Sequence, residues 1–385
     1  MNPMYIHTDI FCFQSPKKKG NPCGDAYGIY RDSSATFAVL ADGLGSGIKA
    51  HIAAKMCVSR LLGLIKGGVS VREAFKAVTD TMDKVWGTGD PFSVFTVLKI
   101  MNNGNSVVLS YEMPPPIIVN PLYAHVLNDR VYSINKAIIH ESTCTLSKDE
   151  GILMVSDGIT QAGIGKRFRD GWGAEGVTRF LQSGLTGARL NGEEIVIDVH
   201  AQACAFWPKD SGDDCSALFA LNRNGIEVNL MCGPPSSKEY DYEFVNSFMN
   251  SGGIKIICGG STSKMVASVT GREINISQTG NRITPPSYEI KGIEMVCEGL
   301  VTLNQAYHLL EEDNISPDKN NPAAELASYL KMADRINIWE GLAQNTGDGH
   351  IEFKQQGLSN RSKILKAITQ RLTSQGKLIV MKRCV

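Results

Sequence analysis

Two Asp-Gly pairs close apolar stretches in the first half of this 385-residue sequence. "FAVLADG" runs to Asp42-Gly43, and "ILMVSDG" runs to Asp157-Gly158. Two further acidic points flank strand-like segments: Asp25 stands before "AYGIY", and Asp213-Asp214 stand before "CSALFA". A single Asp-Gly after a strand is an ordinary hairpin signal. Here neither pair turns straight back into a strand, and the loop "GLGSG" after Asp42 leads into a helix. Strand ends that are distant in sequence can meet at one edge of a layered fold. Carboxylates gathered there repel one another unless cations hold them. Mg2+ and Mn2+ are hard ions that take oxygen ligands and complete an octahedron with water. Two such ions about 3.5–4 Å apart can share a carboxylate and activate a bridging water. The glycine after Asp42 leaves a backbone carbonyl free to reach an ion.

The elements that must position these residues are legible from periodicity. "ATFAVLAD" reads as a buried strand, followed by a helix whose positions Ala53, Met56, Cys57, Leu61 and Leu64 share a face. Gly67-Gly68 stops it. Ser70 and Glu73 form a capping box for a second helix, with Val71, Ala74, Phe75, Val78, Met82 and Val85 at helical spacing. "FSVFTVLKI", "NSVVLSYE" and "PPIIVN" read as strands, as does "GILMVSDG". Helices are expected near 174–182 and 193–206, and "CSALFALN" is a closing strand. This order predicts a layered α+β sandwich over residues 1–222. The stretch 223–240, with "MCGPPSSKEYD", reads as a linker. Strands and helices alternate over 241–385, which predicts a smaller α/β domain with a mainly parallel sheet. There, Asn321-Pro322 marks a helix start, and a last helix runs from a cap at Ser359 to Gly376.

In the second domain, "IICGGSTSK" places Gly259, Gly260, Ser261 and Thr262 where a strand passes into a helix. Backbone amides at such a start can hold phosphate or another anion. The segment lacks the spacing of a Walker loop, and a plain β-α turn explains it equally. Glu298, at the next strand-to-helix turn, would face the same crevice.

Lys and Arg together number 39, as do Asp and Glu, so the formal net charge is zero. That argues against a nucleic-acid partner. No apolar run reaches the length of a membrane span, and the N-terminus lacks the order of a secretion signal. The expectation is a cytoplasmic protein whose ten cysteines are reduced. No C-x-x-C is present, and no cysteine has an arginine six residues downstream, which excludes zinc-knuckle and cysteine-phosphatase signatures.

The ordered set "GDAYG", "LADGLGSGIKAHIAA", "MVSDGITQA" and "DDCSALF" resembles the metal-dependent protein phosphatases of type 2C, and in particular the bacterial branch typified by the sporulation stage II protein E. The resemblance covers residues 1 to about 222. It implies a four-layer α-β-β-α sandwich and two Mn2+ or Mg2+ ions. In that arrangement Asp42 would bridge the ions, Asp25 and the Gly43 carbonyl would complete one metal site, and Asp157 and Asp213 the other. Asp213 is preferred to Asp214 because the first of the paired residues is the ligand in the family. Catalytic roles fall to Asp42 and Asp157. The implied reaction is hydrolysis of phosphoserine or phosphothreonine by a metal-activated water. The implied partner is a phosphorylated regulatory protein, in this branch a small switch protein with its own kinase. Two departures stand out. "YEMPPPIIV" replaces a Gly-His-Pro-Pro segment of related enzymes, and no arginine clearly takes the phosphate-gripping position, for which Lys17 to Lys19, Arg31 and Lys49 are the candidates. Other roles follow if the resemblance is one of shape only: a degenerate phosphatase serving as a binding scaffold, or a second domain that binds or acts on a phosphorylated small molecule.

Overall fold

A computed structural model describes residues 5–85, 92–134, 137–208, 212–278, 286–312, 318, 320–343 and 359–384. The chain divides into two units. One is Ile6–Asn224, and the other is Gly225–Val385 with the first residues up to Tyr5.

The first unit contains, in chain order, β1 (Ile6–Ser15), β2 (Asp25–Arg31), β3 (Ala35–Gly43), α1 (Ile48–Lys66), α2 (Val71–Val85), β4 (Ser93–Met101), β5 (Asn105–Tyr111), β6 (Ile117–Val119), β7 (Ala124–Val126), β8 (Arg130–Ile134), β9 (Ala137–Thr145), β10 (Gly151–Val155), α3 (Asp157–Thr160), α4 (Gly173–Gly184), α5 (Gly192–Phe206) and β11 (Cys215–Asn224). Two antiparallel sheets form, with orders β1-β11-β10-β6-β7 and β2-β3-β4-β5-β9-β8. Their facing sides share a core of Ala38, Leu40, Leu98, Ile152, Met154 and Leu218. The outer side of one sheet packs on α1 and α2 through Phe37, Val39, Ala41, Leu61 and Phe75, and that of the other on α4 and α5 through Val177, Val196, Val199 and Phe219. This is the α-β-β-α sandwich. It explains why "FAVLA" carries no polar alternation: odd residues of β3 face helices, even ones face the other sheet, and neither side meets water.

The capping box forms as expected. Ser70 Oγ accepts from Glu73 N at 3.3 Å and donates to its carboxylate at 2.7 Å. α1 differs in one respect. Its buried stripe is Ala50, Ala53, Ala54, Cys57, Val58, Leu61, Leu62 and Ile65, while Met56 is 61% exposed. An apolar side chain at the margin of a helical stripe satisfies the periodicity without being in the core.

The second unit contains β12 (Glu227–Cys232), α6 (Asp241–Met249), β13 (Ile254–Cys258), α7 (Gly260–Thr270), β14 (Asn275–Gln278), β15 (Ser287–Glu289), β16 (Met295–Cys297), α8 (Leu300–Leu309), α9 (Pro322–Met332), β17 (Arg335–Gly341), α10 (Arg361–Ser374) and β18 (Leu378–Cys384). Its sheet has the order β14-β15-β16-β13-β12-β17-β18. β16 through β18 in that order are mutually parallel, and β14 and β15 add an antiparallel edge. α8, α9 and α10 cover one face, and α6 and α7 the other. The stretch 223–240 is therefore not simply a linker, because it contributes β12 to the middle of this sheet. Asn229 disguises that strand. Its buried carboxamide donates to Gly252 O at 2.6 Å and accepts from Asn337 Nδ2 at 3.0 Å and Trp339 Nε1 at 3.1 Å, so a turn-forming residue is satisfied inside a sheet. α9 begins at Asn321-Pro322 as expected. α10 is capped by Asn360, whose side chain accepts from Lys363 N at 3.0 Å, one residue past Ser359. No helix among the described residues is long and apolar enough to cross a membrane.

Candidate functional site

Four segments of the first unit bring carboxylates to one edge of the sandwich. Asp25 and Asp42 face each other across the β2–β3 ladder. Asp157 opens α3 just past the end of β10, and Asp213-Asp214 lead into β11, the neighbour of β10. Asp42, Asp157, Asp213 and Asp214 line a cavity of about 410 Å³, with Lys17, Leu44, Phe92, Val94 and Glu112 in its wall. Asp25 is 2% exposed and accepts from Ser216 Oγ at 2.5 Å.

The electrostatics follow from crowding. Burial pushes the Asp42 carboxyl up to about 10, and the charges of Asp25 and Asp157 act in the same direction. Burial also raises the Asp157 carboxyl, and the charge of Asp213 acts in the same direction. Burial raises Asp25 to about 7 against the opposing hydrogen bonds of Ser216 and Ser156. Among the described residues, no three His, Cys, Asp or Glu side chains already stand as a closed ion-binding group. The set nevertheless fits a divalent cation. All these donors are carboxylate oxygens, and Asp25 Oδ1 and Asp214 Oδ2 are buried without a hydrogen-bond partner.

Glycine permits the close approach of these segments. A Cβ on Gly43 would lie 2.1 Å from the Ala50 carbonyl oxygen, and one on Gly158 would lie 2.1 Å from the Asp214 carbonyl oxygen. Both Asp-Gly pairs therefore need glycine for packing against a neighbouring backbone, not for a hairpin.

The structure places Asp214, which the sequence reading ranked behind Asp213, in the cavity wall as well. Asp214 accepts from Lys17 N at 2.9 Å, while Asp213 meets Lys17 Nζ at 3.3 Å, so the pair presents two carboxylates to the site. Of the basic candidates, Lys17 lines the cavity. Arg31 is turned toward Thr36 and the Thr8 carbonyl, and Lys18, Lys19 and Lys49 are exposed. Glu112, the first residue of "EMPPP", has φ 55 and also lines the cavity. A positive φ at a non-glycine residue was the structural signal there, and it has no sequence counterpart.

In the second unit, Gly259 caps α7 with φ 120, and Gly260 and Ser261 are exposed at its first turn. The Thr262 hydroxyl is used internally, accepting from Gly233 N at 2.9 Å and reaching Cys258 O at 3.3 Å. Glu298 accepts from Val301 N at 3.1 Å and so caps α8. The four residues proposed as an anion site are together at one helix start, but Thr262 does not face outward from it.

Residues 32–222 match the family described as stage II sporulation protein E (SpoIIE). No curated protein sequence matches the chain. Among solved structures, the chain is similar to the PP2C phosphatase domain and regulatory-domain fragment of the cell fate determinant SpoIIE from Bacillus subtilis, at 17% identity over 57% of this chain and 65% of that one, with a TM-score of 0.48. It is also similar to the RsbU and RsbW domains of Rv1364c from Mycobacterium tuberculosis, at 14% identity over 70% and 71%, TM-score 0.48. A third is RsbX in complex with magnesium, at 16% identity over 57% and 96%, TM-score 0.39. The chain spans 65% of the length of the Bacillus subtilis structure. Residues 32–222, which match the stage II sporulation protein E family, hold most of the sandwich and all of its strand-end carboxylates except Asp25.

Proposed function

We propose that the first unit is a metal-dependent protein phosphatase that hydrolyses phosphoserine or phosphothreonine on a regulatory protein. The observation that carries this reading is the gathering of Asp25, Asp42, Asp157, Asp213 and Asp214 from four separate segments, with unpartnered buried oxygens among them. Two Mn2+ or Mg2+ ions would be held by these carboxylates, with the Gly43 carbonyl, and would supply Lewis acidity toward phosphoryl oxygens and acidify water. Asp42 and Asp157 would be indispensable, because they stand together at the centre of the charge cluster. Lys17 brings a positive charge to the cavity wall that suits a phosphate dianion. Leu44, Phe92 and Val94 give that wall an apolar part, which limits water around the reacting group. No side-chain nucleophile is required, in keeping with the lack of a cysteine-phosphatase loop.

The proposed setting is the cytoplasm, and the proposed substrate is a small switch protein that a separate kinase phosphorylates. The second unit would bind a ligand or partner. Phosphate release from a phosphoserine protein tests the reading. Release should require added Mn2+ or Mg2+, stop with chelator, and be lost in Asp157→Ala. Full release by Asp157→Ala would reject the assignment.

A further inference from the structure

We propose that Glu112 selects the substrate: its carboxylate takes a lysine or arginine lying within about three residues of the phosphoserine or phosphothreonine. This selection rests on the function proposed above and adds a substrate class to it, phosphorylated segments with a basic flank.

Two buried neighbours fix the position of Glu112. Tyr111 ends β5 in the core beneath α1 and α2, where its ring meets those of Phe92 and Phe95 at centroid distances of 6.0 and 5.7 Å. Met113 lies in the other core, between the two sheets. In an extended strand, side chains two residues apart share a face. Tyr111 and Met113 go to opposite sides, so the chain must break its pleat at residue 112, and φ 55 there achieves this. Ser110 Oγ donates to Met113 O at 3.5 Å across the turn, and three prolines follow, Pro114 to Pro116. The turn requires a left-handed residue. Glycine adopts that conformation freely, and Asp tolerates it, as Asp149 does at φ 63. Glutamate has no such ease, so the backbone does not account for the choice of side chain.

The charge of the cavity wall accounts for it. Asp42, Asp157, Asp213 and Asp214 belong to the set suited to cations, and Lys17 reaches both Asp213 and Asp214. Glu112 comes to the wall from a separate turn, is exposed, and makes no hydrogen bond or ion pair with any described residue. Such a carboxylate repels a phosphate dianion entering the same cavity, unless the substrate brings a cation to it. A cavity of about 410 Å³ is roughly 9 Å across if taken as a sphere, the span of two to three extended residues. A phosphorylated side chain and a basic one from the same short segment can therefore occupy it together.

Phosphoserine peptides that carry a single arginine at each of the three positions on either side, with alanine elsewhere, test the selection. Phosphate release by the full-length protein in Mn2+ gives kcat/KM. Matched peptides with a phosphonate that cannot be hydrolysed give Kd by fluorescence anisotropy. At its best position, arginine should improve both quantities by about fivefold over alanine at low salt, and the ratio should shrink toward one at about 0.5 M salt. Glu112→Gln should bring the ratio to about one, and Glu112→Lys should favour glutamate at the same position instead. If Glu112→Gln does not fold, Glu112→Gly decides, because glycine suits the turn and lacks the carboxylate. Phosphate release with no preference for arginine, or with a preference that Glu112→Gln and Glu112→Gly both keep, overturns the selection and leaves the proposed function standing. Preferential, Glu112-dependent binding without phosphate release refutes the hydrolytic function and leaves recognition of basic phosphorylated segments standing. Neither binding nor release refutes both.

Discussion

Replacing Asp42 by Asn should make the metal-free protein more stable while abolishing its activity. In the folded chain the Asp42 carboxyl is raised to about 10 by burial and by Asp25 and Asp157. In the unfolded chain it ionises near 3.9. The folded state therefore holds a proton that the unfolded state has released. For a raised acid, folding is unpenalised below about pH 4 and loses stability as pH rises toward the folded value. At about pH 7.5 the ceiling on this cost is about 5 kcal/mol, from roughly 1.4 kcal/mol per pH unit. Asp42 keeps some contact with the cavity, and screening by water brings the realistic figure to about 2 kcal/mol. Asn cannot titrate and is nearly isosteric with Asp. Asp42→Asn should then raise the melting temperature in chelator by about 4–8 °C at neutral pH, with a gap that narrows toward about pH 5. Thermal unfolding followed by circular dichroism across this range measures it. A variant that melts at or below the wild-type temperature at every pH would refute the charge-crowding argument.

Three further outcomes follow from the same geometry. Gly43→Ala should lose about 2–3 kcal/mol of stability, because its methyl would lie 2.1 Å from the Ala50 carbonyl; denaturant titration measures this, and unchanged stability would mean that α1 moves freely. Asn229→Ala should cost about 3 kcal/mol in the second unit by stranding the Trp339 indole N–H and one N–H of the Asn337 amide, whose other partner is Glu227, read as a shifted midpoint in urea. A fragment ending at Asn224, the last residue of β11, should unfold cooperatively on its own, whereas one cut within β11 should not, as judged by calorimetry.

Much of the first unit could be read from the residues because β3, β10 and β11 are buried on both sides and α2 and α5 carry side-chain caps. Asp42-Gly43 and Asp157-Gly158 were recognisable as something other than hairpins, since a loop or helix follows each. Their convergence could not be read, because it depends on β10 lying beside β11 and β2 beside β3. Asp213 was preferred to Asp214 because the first of the paired residues is the ligand in the family the sequence resembles; in the structure both line the cavity. β12 was missed because Asn229 and a preceding Asn-Gly read as turn chemistry, and only partners distant in sequence satisfy that carboxamide. Ser261 and Thr262 looked alike in the sequence, yet one is exposed and the other is tied to Gly233. Periodicity assigns faces to single elements, whereas hydrogen bonds across elements decide which polar groups remain available.

Calorimetric titration of the full-length protein with Mn2+ bears most directly on the account. Saturable binding of two ions per chain, abolished or reduced to one in Asp42→Asn and accompanied by proton release as the carboxyl ionises, is the predicted result. An absence of saturable binding, or an isotherm that Asp42→Asn leaves unchanged, would contradict it.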